Sequence, residues 1–250
     1  MRVGVYVDGY NLYYGGRKHC GRGTAGWRWL DIRALVSAVL TEKATDWPSA
    51  RLERIVYCTA RISAAHNASG SQDQDVYLKA LLAVGSVDHI EYGNYISKVV
   101  KRPLAVEKGG SGKSRHHPVL ITPSWPIMVQ SAGAPVADAL FMASVATFEE
   151  KGSDVNVAAH LLVDVLTSAV DAVIVISNDS DLRLPVHEAW NRVPVGLVNP
   201  GGGYTAGALS MNAGTGLGTG NHWWRTLGRD DYTAHQLPDP AGRYTRPPGW

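Results

Sequence analysis

Apolar residues in this chain gather into short β-branched runs separated by amphipathic stretches. Val3 to Val7 forms the first run, Arg54 to Arg61 encloses the second, and Val87 to Tyr92 holds the third. Val173-Ile174-Val175-Ile176 is the fourth, and Val193 to Val198 the last. Runs of this kind, with little polar alternation, predict strands buried on both faces. Helices are predicted between them. Asp31 caps a segment from Ile32 to Leu40, Ser71 to Gly85 forms another, and Asp181 to Arg192 follows the fourth strand. Ala158, Leu161, Leu162, Val165 and Ala169 fall at helical spacing behind Asp154. Leu12 to Gly16 reads as a short helix that ends at its glycines. Strands alternating with helices predict an α/β fold, a three-layer sandwich around a mostly parallel sheet of about five strands.

Two stretches break the rhythm. Within a domain spanning 1–200, residues 95–136 alternate from Val99 to Val106, turn at Gly109 to Gly112 and return from Val119 to Met128. This is read as a β-hairpin-like insertion, although four prolines interrupt it. Residues 201–250 are rich in Gly and Pro and are read as an irregular C-terminal extension packed on the same domain. Trp223, Trp224, Leu227 and Leu237 could dock there on the sheet edge. Trp27 and Trp29, in the loop after the first helix, are expected to anchor that loop to the core.

Composition narrows the classes. A hydrophobic content of 45% in 250 residues supports a substantial core. Two cysteines, Cys20 and Cys58, argue against a disulfide scaffold, and no Cys-x-x-Cys pair suggests zinc. No apolar stretch approaches the ~18 residues of a membrane span. The first run, broken by Gly4, Asp8 and Gly9, does not read as a secretory leader, so a reducing cytoplasm is the expected compartment. Between Lys98 and His117 stand six Lys/Arg residues against one acid, leaving 18 basic and 21 acidic residues elsewhere. Lys98, Lys101, Arg102, Lys113 and Arg115 are candidate contacts to a nucleic-acid backbone. A solvated loop fits the same charges.

Candidate chemistry sits at the strand ends. Ligands of open α/β sheets bind in the crevice beyond the carboxyl ends of the strands. Asp8-Gly9-Tyr10-Asn11 follows the first strand there, and Ser177-Asn178-Asp179-Ser180-Asp181 follows the fourth. A helix cap explains one carboxylate in such a turn, but not two. Asp154 opens its helix, where capping alone would explain it. Carboxylates clustered without Cys suit hard cations, Mg²⁺ or Mn²⁺. Gly109 to Ser114 is no phosphate-binding loop, because Glu107 stands where the first glycine belongs. Gly214 to Gly220 follows no strand and is not a dinucleotide fingerprint.

Three motifs, Val7-Asp8-Gly9-Tyr10-Asn11-Leu12, Lys151 to Val155 and Ile176 to Leu182, together resemble the NYN domain family, a branch of the PIN-like metal-dependent ribonucleases. The resemblance implies that strand one neighbours the strand ending at Ile176, so that Asp8, Asp179 and Asp181 converge. It implies a metal-dependent endoribonuclease that hydrolyses phosphodiester bonds of RNA. Asp8 and Asp179 would lead the metal ligands, and Asp154 and Asp181 would complete them. Asn11 would orient a phosphate or a metal-bound water, and Ser177 would hold a carboxylate. The chain departs from the family at Asn178, where many relatives have Gly and where Asn tolerates a left-handed backbone. It departs again at His160, where relatives often have Asp. His160 and Asp164 lie four apart and are read as a solvated pair.

A HAD-type phosphatase is disfavoured, since its second Asp would fall on Tyr10. The remaining alternative is a non-catalytic RNA- or protein-binding module on the same fold. The expected partner is RNA rather than a membrane, with self-association left open.

Overall fold

The computed structural model describes residues 1–107, 118–120, 130–136, 139–209 and 218–250. The chain forms two compact units, one of Met1–Tyr95 with Glu150–Trp250 and one of Ile96–Glu149.

The larger unit is built on buried strands. β1 (Arg2–Asp8) is buried from Val3 onward, and β9 (Ala172–Ile176) and β10 (Val195–Asn199) are buried throughout. Both faces are covered, which is why these strands are apolar without alternation. With β2 (Arg51–Ala60), β3 (His89–Pro103), β8 (Met142–Lys151) and β11 (Trp223–Thr226) they form one sheet in the order β11-β10-β9-β1-β2-β3-β8. β1 pairs in parallel with both β2 and β9. The sheet has seven strands where about five were expected. One extra strand comes from the Gly-rich extension, where Trp223-Trp224-Arg225-Thr226 is too short and mixed to show a period. The other, β8, lies beyond the expected end of the insertion. β3 also runs on to Pro103 instead of stopping at Tyr92.

Helices pack on both faces. Val3, Val5 and Val7 meet Leu12 of α1 (Gly9–Cys20), Ile32 and Leu35 of α2 (Ile32–Glu42), and Leu78 and Leu81 of α3 (Ala68–Ala83). Tyr232 of α6 (Arg229–Ala234) joins that cluster. Tyr6, Val173 and Val175 face the other way, onto Val157 and Leu161 of α4 (Ser153–Leu166) and Val186 of α5 (Arg183–Trp190). Asp31 caps α2 as expected, its Oδ1 accepting from the Ala34 N–H at 3.1 Å. Trp27 and Trp29 are buried, and Trp29 Nε1 donates to the Pro238 carbonyl at 2.9 Å.

α1 does not stop at its glycines but continues to Cys20. Gly15 and Gly16 are there for clearance. A Cβ on Gly15 would lie 2.3 Å from the Pro200 carbonyl oxygen, and one on Gly16 would lie 2.7 Å from the Trp27 ring. The close approach brings the turn after β10 against α1, where Tyr232 Oη donates to the same Pro200 carbonyl at 2.7 Å.

Among its described residues the smaller unit contains two antiparallel strand pairs, the second of them a hairpin. β4 (Ala105–Glu107) pairs with β5 (Pro118–Leu120), and β6 (Gln130–Ser131) pairs with β7 (Ala134–Pro135). Positive φ at both Ala132 and Gly133 gives the second hairpin the twist that tight two-residue turns require. Lys98 lies 3.1 Å from Glu149, and Lys101 and Arg102 are exposed. Lys113 and Arg115 lie outside the described residues. No helix among the described residues is long and apolar enough to cross a membrane.

Candidate active site

Parallel pairing of β1 with β9 places Val7 beside Ile176, so Asp8 and Ser177 emerge together at the carboxyl end of the sheet. Asp8 also caps α1. Its Oδ1 accepts from the Asn11 N–H at 3.0 Å, and its Oδ2 accepts from Asn11 Nδ2 at 2.8 Å and from Ser177 Oγ at 2.9 Å. These three donors use most of the roughly four acceptor positions of a carboxylate. Gly9 follows because a Cβ there would lie 2.6 Å from the Tyr57 ring. Asp8 is 4% exposed. Burial pushes its carboxyl above the usual range, the Asn11 and Ser177 hydrogen bonds pull it back, and the charge of Glu150 adds to the rise.

The second strand end is knitted to the first. The Asp179 N–H donates to Ser177 Oγ at 3.1 Å, and Asp179 Oδ1 accepts from the Asp181 N–H at 3.0 Å. Asp179 is half-buried and Asp181 is exposed. The Asn178 N–H donates to Asn11 Oδ1 at 3.3 Å. No positive φ occurs at Asn178, so the left-handed turn expected there is absent. Instead its side chain accepts from the Ala206 N–H at 2.7 Å and donates to the Tyr204 carbonyl at 3.3 Å. Asp154 lies half-buried in the first turn of α4, whose cap is the left-handed Gly152.

Aromatic side chains border this end of the sheet. Tyr10 and Tyr14, four residues apart on α1, have ring centroids 4.5 Å apart and are about two-fifths exposed. Burial, the hydrogen bond with Tyr14 and the neighbouring negative groups push the Tyr10 hydroxyl up to about 12. Burial also raises Tyr95, with Tyr14 and Glu150 adding to it. Glu150 thus acts on Asp8, Tyr10 and Tyr95 at once. Sequence reasoning missed Glu150 and the tyrosines, although the Tyr10 and Tyr14 spacing was visible.

His160 and Asp164 are not the solvated pair expected. Asp164 is 4% exposed and accepts from Tyr6 Oη at 2.7 Å and from Arg54 Nη1 at 3.0 Å. The buried Tyr6 hydroxyl and the Arg54 guanidinium draw that carboxylate under the helix. His160 turns instead to Glu91, Nε2 to Oε2 at 3.2 Å. His89 Nε2 lies 3.0 Å from the same oxygen. Among the described residues, the grouping that brings three ligand atoms within 4.8 Å is His89, Glu91 and His160, and none of Asp8, Asp154, Asp179 or Asp181 belongs to it. A cleft of about 470 Å³ beside Leu40, Trp47 and Leu52 carries no ionisable side chain.

No protein-family profile matches the chain. The chain is 28% identical over 254 aligned positions to 6-hydroxy-3-succinoylpyridine 3-monooxygenase HspA of Pseudomonas putida (strain DSM 28022 / S16), covering 95% of this chain and 70% of that protein. A crystal structure of a protein of unknown function from Vibrio parahaemolyticus RIMD 2210633 is 15% identical with a TM-score of 0.45, over 92% of this chain and 94% of that one. The named relative is an oxygen-inserting enzyme, not a nuclease. The expectation of RNA phosphodiester hydrolysis is corrected accordingly, together with the hydrolase and RNA-binding roles and the alternative of a binding module. The motifs that suggested it mark strand ends, and strand ends of this kind serve many chemistries.

Proposed function

We propose that this chain is an oxidoreductase that hydroxylates a small hydroxylated aromatic ring at the carboxyl end of its sheet. The carrying observation is the 28% identity along 95% of the chain with a protein named as a monooxygenase of a hydroxypyridine. A monooxygenase inserts one atom of dioxygen, sends the other to water and draws two electrons from a donor. In this reading the chain's own residues bind the ring and move its proton. A ring settles against the exposed faces of Tyr10 and Tyr14, offset aromatic contacts being worth about 0.5–1.5 kcal/mol each. Asp8, held by Asn11 and Ser177, takes the proton of the ring hydroxyl. Its burial raises its proton affinity, which is the direction a general base needs. The deprotonated ring is electron-rich and open to an electrophilic oxygen.

The test is incubation of the full chain with 6-hydroxy-3-succinoylpyridine and a panel of hydroxypyridines and phenols, under ¹⁸O₂ with a reduced nicotinamide and added flavin or ferrous iron. One labelled oxygen atom in the product, lost in Asp8→Asn, is expected. No labelled product on any substrate overturns the reading.

A further inference from the structure

We infer that His89, Glu91 and His160 form a binding site for one divalent first-row transition-metal ion, which uses none of Asp8, Asp154, Asp179 or Asp181 and does not depend on the reading above. His89 and Glu91 are two residues apart on β3, so the strand's period of two turns both side chains to one face. α4 packs over β1 and β2 beside that face, with Val157 and Leu161 buried against Tyr6, Val56 and Cys58, and His160 reaches Glu91 from the helix edge. Both imidazoles present Nε2 to one carboxylate oxygen, at 3.0 Å for His89 and 3.2 Å for His160. All three donor atoms lie within 4.8 Å of one another.

The two nitrogen–oxygen spacings fit a shared ion. Donors bound at about 2.0–2.2 Å from a metal stand about 2.8–3.6 Å apart on octahedral or tetrahedral edges. The donor set also selects the ion. Two imidazoles and one carboxylate suit zinc, cobalt, nickel and ferrous iron, whereas Mg²⁺ and Ca²⁺ prefer oxygen alone. The side chains are 24–45% exposed, which leaves coordination positions open to water or a ligand. The competing reading is a hydrogen-bonded trio with no affinity for metal.

The experiment uses untagged, chelator-stripped full-length protein. Zn²⁺ uptake is followed by calorimetry and Co²⁺ uptake by its visible ligand-field absorption. One equivalent is expected to bind, without competition from Mg²⁺. Losing even an outer-shell partner of a metal ligand typically costs about 10–100-fold in affinity. His89→Ala, His160→Ala and Glu91→Gln should therefore each weaken binding at least ~10-fold, and the two histidine variants should abolish or alter the Co²⁺ spectrum. The three side chains are partly exposed, so thermal unfolding should stay close to that of the parent. No binding of either ion, or binding unchanged in all three variants, overturns the site.

Discussion

Ser177 Oγ donates to Asp8 Oδ2 at 2.9 Å across the seam between β1 and β9, joining two strand ends 169 residues apart in the chain. The same Ser177 oxygen accepts from the Asp179 N–H, so one hydroxyl fixes the carboxylate and orders the turn behind it.

The buried carboxyl should leave a signature in stability. Asp8 holds its proton more tightly folded than unfolded, because burial outweighs the hydrogen bonds that pull the other way. Between the unfolded and folded pKa values the native state binds more protons, so this group's contribution to stability falls as pH rises. Asp8→Asn removes that dependence. Chemical denaturation from acid to neutral pH should show the difference between the two chains moving toward the variant as pH rises, then levelling. A difference that stays constant across the range would mean that Asp8 has an ordinary pKa.

Asn11 should affect the chemistry more than the fold. Its side chain donates to Asp8 and accepts from the Asn178 N–H, and both contacts lie at the rim of the core. Without it, Asp8 loses a hydrogen bond that lowers its pKa. Under the proposed hydroxylation, Asn11→Ala should reduce turnover by at least ~10-fold, since a base helped into position contributes about 10²–10⁴-fold. The acid limb of the rate profile should move to higher pH. An unshifted profile would remove Asn11 from that role.

The unbroken Val/Ile runs predict buried strands, and their carboxyl ends single out Asp8 and Asp179. The seam itself was not legible in those runs: that β1 neighbours β9 was implied only by the family resemblance, and the parallel pairing bears it out. The fate of His160 and Asp164 was not legible. Helical spacing puts them on one face, but the buried Tyr6 hydroxyl and Arg54 reach Asp164 from strands over 100 residues away, and Glu91 of β3 takes His160. Glu150 was hidden for a related reason. It lies on a strand outside the expected insertion boundary, and its effect on Asp8 depends on how the chain closes rather than on any local pattern.

Asp164 tests the interior electrostatics. Tyr6→Phe leaves the Arg54 pair intact and should cost about 1–3 kcal/mol, the range for leaving a buried polar partner under-satisfied. Asp164→Ala strands the Tyr6 hydroxyl and releases Arg54, and should cost about 3–5 kcal/mol. The double variant should cost less than the sum, because both singles break the same contact. Denaturant titration of the three variants measures this, and strict additivity would show that the bond carries no energy.

Gly93 decides how closely β3 can approach the turn that opens α4. A Cβ there would lie 2.6 Å from the Lys151 carbonyl oxygen and 3.0 Å from the Ser153 nitrogen, both backbone atoms that cannot swing aside. Gly93→Ala should therefore cost about 1–3 kcal/mol through overpacking. Gly152, in the same turn, is glycine for a different reason: its φ is +93°, while the nearest atom to a Cβ would be 3.9 Å away. Gly152→Ala should cost about 1–2 kcal/mol from the left-handed backbone alone. Gly23, with nothing within 4 Å and no positive φ, serves as the control, and Gly23→Ala should stay within about 0.5 kcal/mol of the parent. The two costly changes should also differ in kind. Displacing β3 from Lys151 moves the neighbouring Glu150 and with it the Asp8 titration, whereas strain at Gly152 can be absorbed within the turn. If Gly93→Ala proves as mild as the Gly23 control, the close approach of β3 to the α4 turn is wrong.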